Sequence, residues 1–218
     1  MSENSFFEAI NAKVDPNTKS VFTAPTIKKK IIPQPIALKK EFSSQPTMSH
    51  EMYEDTLTVL YDYSRSIEKK PSMYAGKDEE SIRDLLISML ETSYVGTTAT
   101  GETYNKNGRT DILLKYEDGS NLFVGECKWL KGEGEFSASI NQLFDNYLTW
   151  RDSKTALIFF LRNKEIAKVC EKIKVEAEKH EYFKSFTGSK GEGRYSFKFH
   201  LLGDFEKEIY LEIMTFHF

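Results

Sequence analysis

The chain has little of several things that would place it quickly. It has two cysteines in 218 residues, Cys127 and Cys170, and two thiols build neither a disulfide framework nor a four-ligand zinc site. Its longest purely apolar run, Ala156–Leu161, falls far short of the roughly 18 residues that a membrane helix needs, so no membrane partner is expected. No basic start leads into an apolar stretch, so no secretory signal is expected and the expected compartment is cytoplasmic. Neither sign of charge dominates: 30 basic residues face 33 acidic ones, a net of −3. That total does not suggest a strongly basic nucleic-acid binder, although the field of one groove can differ from the sum. His50-Glu51 lacks the second histidine of a zinc-protease helix, because position 54 is Glu54. No Gly-x4-Gly-Lys phosphate loop and no Gly-x-Ser-x-Gly elbow occurs.

Hydrophobic residues make up 39% and aromatics 13%, enough to build a core. Five of the six prolines lie within residues 1–48, with Lys28–Lys30 and Lys39–Lys40. That stretch has a net charge of +3 and the remainder −6. Proline at this density breaks helices and blocks central strands. Residues 1–48 therefore read as an arm, with a short helix near Phe6–Ala12 and extended pieces over Val21–Ile36. The arm is a solvated tail, a phosphate-contacting segment, a strap packed on the body through Phe6, Phe7, Val21, Phe22, Ile31 and Ile32, the tail of an upstream domain, or a docking element for a larger assembly. Residues 49–218 read as the folded domain.

Ser49 is a good helix N-cap. Met52, Thr56, Val59, Leu60, Tyr63 and Ile67 recur at helical spacing to about Lys69. A second helix is expected over Asp78–Ser93, with Ile82, Leu85, Leu86 and Met89 inward. Thr97–Tyr104, Arg109–Tyr116 and Leu122–Trp129 read as a meander of three strands, turning at Asn107-Gly108 and Asp118-Gly119. Phe136–Trp150 has helical spacing through Phe136, Ile140, Leu143, Phe144 and Tyr147. Trp129 and Trp150 read as core or groove-lining aromatics. Thr155–Leu161 suits a buried parallel strand. Asn163 is placed to cap a helix to about His180. Residues 188–193 read as a glycine-rich loop, with Lys184, Lys190 and Arg194 near it as phosphate contacts. Tyr195–Leu202 and Ile209–Phe218 alternate as a hairpin around Gly203-Asp204. The expected class is α/β, a mixed sheet flanked by helices, with a C-terminal helix and β-hairpin.

One constellation stands out. Residues two apart in a strand point the same way, with about 7 Å between their Cα atoms. Glu126 and Lys128 therefore share a face, and Cys127 points opposite. A hairpin brings Asp111 beside Glu126. Two carboxylates held together call for a hard divalent cation such as Mg²⁺, which takes oxygen ligands and keeps several waters. An ammonium beside them suits charge developing on phosphate. The alternative is a surface ion pair on an edge strand, worth little. Glu-x-Lys also recurs at Glu68-Lys69-Lys70, where it carries no such context.

The string Gly108-Arg-Thr-Asp111-Ile-Leu-Leu, followed by Val124-Gly-Glu126-Cys-Lys128-Trp and a helix bearing Gln142, resembles the PD-(D/E)XK restriction-endonuclease-like superfamily. The likeness covers roughly Glu79–Leu161. Thr110 departs from the proline in the family's name. The resemblance implies a restriction-endonuclease-like core of order α-β-β-β-α-β and a Mg²⁺-dependent nuclease, with Mn²⁺ able to substitute. Its partner would be nucleic acid, usually double-stranded DNA, often cut by a homodimer, and a role in defence against foreign DNA follows by analogy. Residue by residue, Asp111 and Glu126 would bind metal, with the Cys127 backbone carbonyl as a further ligand. Lys128 would position or activate water, and Gln142 would support water or substrate. The first helix would add an acid, and periodicity favours Glu79, seven before Leu86, over Glu80. The competing reading is a non-catalytic nucleic-acid-binding or assembly module on the same scaffold.

Overall fold

A computed structural model describes residues 48–94, 97–101, 103–105, 108–116, 119–162 and 165–218. The arm, apart from Met48, lies outside the described residues. So do Asn107, Asp118 and Asn163, to which turn and capping roles were given.

Four α-helices flank a seven-stranded mixed sheet. Helices α1 (His50–Glu68) and α2 (Glu79–Ser93) precede strands β1 (Thr97–Thr100), β2 (Thr103–Asn105), β3 (Gly108–Thr110), β4 (Ile112–Tyr116) and β5 (Asn121–Trp129). Helix α3 (Glu133–Asn141) runs into a π-wound segment, Gln142–Tyr147. Then come β6 (Lys154–Leu161), α4 (Ile166–Lys179), β7 (Phe183–Ser189), β8 (Arg194–Leu201) and β9 (Asp204–His217). The sheet order is β1-β4-β5-β6-β9-β8-β7. β5, β6 and β9 run parallel and the other pairings are antiparallel. β2 and β3 form a separate two-stranded ribbon. No helix among the described residues is long and apolar enough to cross a membrane.

Local chemistry sets the helix starts. Ser49 Oγ accepts the Met52 N–H at 3.1 Å, and Asp78 Oδ1 accepts the Ser81 N–H at 2.9 Å, satisfying donors that a first turn leaves open. β6 is buried at every position, as its unbroken apolar run requires of a central parallel strand. The α1/α2 layer packs on Ile112, Phe123, Cys127, Ile158 and Phe160. The α3/α4 layer packs on Leu113, Val124, Leu157 and Phe159.

Four expectations need correction. Each of the first two strands is broken, at Gly101 and at Asp111, so the hairpin divides between the sheet and the β2–β3 ribbon. A side chain at Gly101 would meet Ile87 Cδ1 at 2.7 Å and the Asp111 carbonyl at 3.4 Å, so the two breaks pack close together. The expected helix 136–150 is α only to Asn141, and Trp150 is 63% exposed rather than core. β7 was not foreseen; it is an edge strand with two register shifts, which disguise its period. Lys184 and Lys190 form surface pairs with Glu208 and Glu54, whereas Arg194, expected as a phosphate contact, is buried against Glu212.

Candidate active site

β5 extends past the end of β4, since Ile112 pairs with Gly125. The backbone N–H groups beyond that point need other acceptors. Two carboxylates supply them. Asp111, at the bend before β4, accepts the Cys127 N–H through Oδ2 at 2.9 Å. Glu79, the first residue of α2, accepts the Trp129 N–H through Oε2 at 2.8 Å. Its other oxygen lies 3.3 Å from Lys128 Nζ. Glu79 is half-buried here while Glu80 is exposed. Thus Glu79, Asp111, Lys128 and the backbone of Cys127 meet at one end of the sheet. The Cys127 side chain points away into the α1/α2 core, where burial pushes its thiol up. Only its backbone can face the site.

Glu126 sits between these contacts, 2% exposed. Burial, reinforced by Asp111, pushes its carboxyl up to about 9. Among the described residues its Oε2 has no hydrogen-bond partner. Asp111 is also raised, by burial first, with the Cys127 N–H pulling it down and Glu79 pushing it up. Lys128 is raised: burial opposes its charge, but Glu79 and Glu126 outweigh it. Glu126 and Asp111 thus share one field.

Sequence reasoning missed two groups. Arg83 is buried on α2 with Ile82, Leu86 and Leu90, while Leu85 packs against the same core half-buried, as expected. Its guanidinium lies 3.6 Å from Asp111 and 3.0 Å from Asp84. No periodicity signals this, since the burial depends on a partner remote in sequence. The second group is Tyr147. Gln142 donates to its hydroxyl, and Tyr147 is raised by burial first, with Glu126 and Asp111 adding to it. Gln142 is thus tied to Tyr147, whose hydroxyl lies within the field of the acids. Residues five apart on an α-helix diverge by about 140°. The π winding, with Leu148 N–H bonded to Leu143 O, brings residues five apart onto one face.

No set of three His, Cys, Asp or Glu side chains among the described residues is placed to hold a metal ion. The donor chemistry still suits one. Mg²⁺ is commonly held by one or two carboxylates and keeps its waters, and Glu126 offers a buried oxygen without a partner among the described residues. A scan against protein-family models, a search of curated proteins and a search of solved structures each found no match to this chain.

Proposed function

We propose that the chain is a divalent-cation-dependent nuclease of the restriction-endonuclease-like superfamily, hydrolysing phosphodiester bonds in nucleic acid, with double-stranded DNA as its substrate. The observation that carries this reading is the Glu126 carboxyl: buried, one oxygen unpartnered, and pushed up to about 9 beside Asp111. A cation is the partner that would relieve such a group. The succession of α2, the strands to β5, α3 and β6 is consistent with the superfamily's α-β-β-β-α-β order.

Asp111 and Glu126 would hold Mg²⁺ or Mn²⁺, with the Cys127 carbonyl beside them. Bound there, the cation supplies charge against the phosphate and lowers the pKa of a water. The chain's own residues do the rest. Lys128, kept charged by Glu79, sets a fixed positive charge where negative charge develops on phosphate. Arg83 holds Asp111 in place. Glu79 and Asp111 fix the backbone of β5. Gln142 and Tyr147 present a bonded polar pair that can orient water or a phosphate oxygen.

The test is incubation of the purified full chain with plasmid DNA and with RNA, in Mg²⁺ or in EDTA, beside Glu126→Gln and Lys128→Ala. The expected result is cutting that needs the cation and is lost in both variants. Cutting by Glu126→Gln at the wild-type rate, or none by the wild type on either substrate, overturns the reading.

A second reading is favoured by the bonds of Asp111 and Glu79 to the β5 backbone. On it, the acids finish a strand end and the domain is a non-catalytic binding or assembly module. Calorimetry separates the two, because such a module takes up no Mg²⁺ or Mn²⁺.

A further inference from the structure

Arg65, Arg83 and Arg194 each pair with a carboxylate. Arg162 does not, among the described residues. It is exposed just past β6, with its guanidinium carbon 4.2 Å from the centroid of the Trp129 ring. Contact over an aromatic face uses the π surface of a guanidinium and leaves its in-plane N–H fork free for a phosphate or carboxylate. The indole is a firm platform, braced edge-on by Phe160 at 5.6 Å and Phe218 at 6.4 Å.

This platform adjoins the acids. The backbone N–H of Trp129 donates to Glu79, and Glu79 holds Lys128. The parallel register, Trp129 opposite Phe160, continues with the Leu130 N–H bonded to Phe160 O at 2.9 Å. Residues 131 and 162 therefore leave the sheet side by side. Lys131 is exposed, and its ammonium has no carboxylate partner among the described residues. Deeper in the site, Lys128 and Arg83 are tied to Glu79 and Asp111. Two cations with free donors thus stand next to the acids, at the carboxyl ends of the parallel strands β5 and β6, where α/β sheets commonly take ligands.

We propose that Arg162, seated on Trp129, and Lys131 beside it form the phosphate-contacting rim of the candidate site, taking the sugar-phosphate backbone of a nucleic acid. The proposal rests on the nuclease reading and adds the residues that grip its substrate. Arg162 makes the forked contact and Lys131 a point-charge contact.

The test is fluorescence anisotropy with a labelled DNA duplex and an RNA of matched length, in Mg²⁺, on a Glu126→Gln background that separates binding from cutting. Arg162→Ala is expected to weaken binding about tenfold near 0.1 M salt and to lower the slope of log K against log salt by about 1, the mark of one lost phosphate contact. Lys131→Ala is expected to lower that slope similarly, and Arg162→Lys to keep the slope while losing part of the affinity. A second readout uses Trp129 itself: in a Trp150→Phe protein, emission should shift on adding duplex and should fail to shift once Arg162 is Ala. Unchanged slopes in both alanine variants overturn the rim even if the wild type cuts nucleic acid. Absence of binding to DNA and to RNA overturns it also. A wild type that binds with the full slope but cuts nothing retains the rim and removes the nuclease.

Discussion

Asp111 Oδ2 accepts the backbone N–H of Cys127 at 2.9 Å, so an acid expected only to serve chemistry also finishes a strand. Removing it leaves a buried donor without a partner. Asp111→Ala is expected to lower stability by about 1–3 kcal/mol, read by urea unfolding. Asp111→Asn, which can still accept that N–H, should cost less than Asp111→Ala while losing activity equally. Equal stability of the wild type and Asp111→Ala would show the contact to be idle.

Glu126 sets a pH dependence of uncommon sign. Its folded pKa of about 9 lies above the ordinary 4.5. Between these values the folded chain keeps a proton that the unfolded chain has released. The contribution is fully present below about pH 4.5 and is lost as pH rises through about 9, with a slope of at most about 1.4 kcal/mol per pH unit. Glu126→Gln should flatten the stability profile in EDTA over this range and be the more stable protein at pH 8. Parallel profiles for the two proteins would refute this.

Cation binding should be visible without any substrate. Mg²⁺ or Mn²⁺ at millimolar concentration is expected to raise the melting temperature of the wild type, because a ligand of the folded state stabilises it by mass action. Glu126→Gln should respond less. A wild type whose melting temperature ignores both ions counts against the metal reading.

Elsewhere, Arg194 Nε donates to Glu212 Oε1 at 2.5 Å, and both residues are buried. Ser196 shares the carboxylate at 2.6 Å. Arg194→Met strands the Glu212 charge and is expected to cost about 3–5 kcal/mol. The Arg194→Met/Glu212→Leu double variant should recover much of that loss. Additive losses in denaturant would argue that the two residues act separately.

Much of the frame was legible in the sequence because local signals agreed with tertiary need. Ser49 caps as its side chain dictates, the second helix begins where expected, after Asp78, and the Ala156–Leu161 run is a central strand. Alternation placed Cys127 in the core, and helix periodicity chose Glu79 over Glu80. The rest depended on contacts remote in sequence. Arg83 is interior and meets Asp111, which lies far from it in sequence, as well as its neighbour Asp84. A strand with a hidden period, β7, and the break at Asp111 leave no hydrophobic signature. Tyr147 was grouped with the apolar face of an α-helix, whose geometry its segment does not follow.

That segment has a further consequence. A π turn is an extra residue kept within a helix instead of being expelled as a loop. Deleting one residue between Gln142 and Tyr147 would tighten the coil, leave the surrounding topology alone, and turn the phenol away from its amide neighbour. The makeup of this corner therefore depends on how many residues lie between the two as much as on which they are.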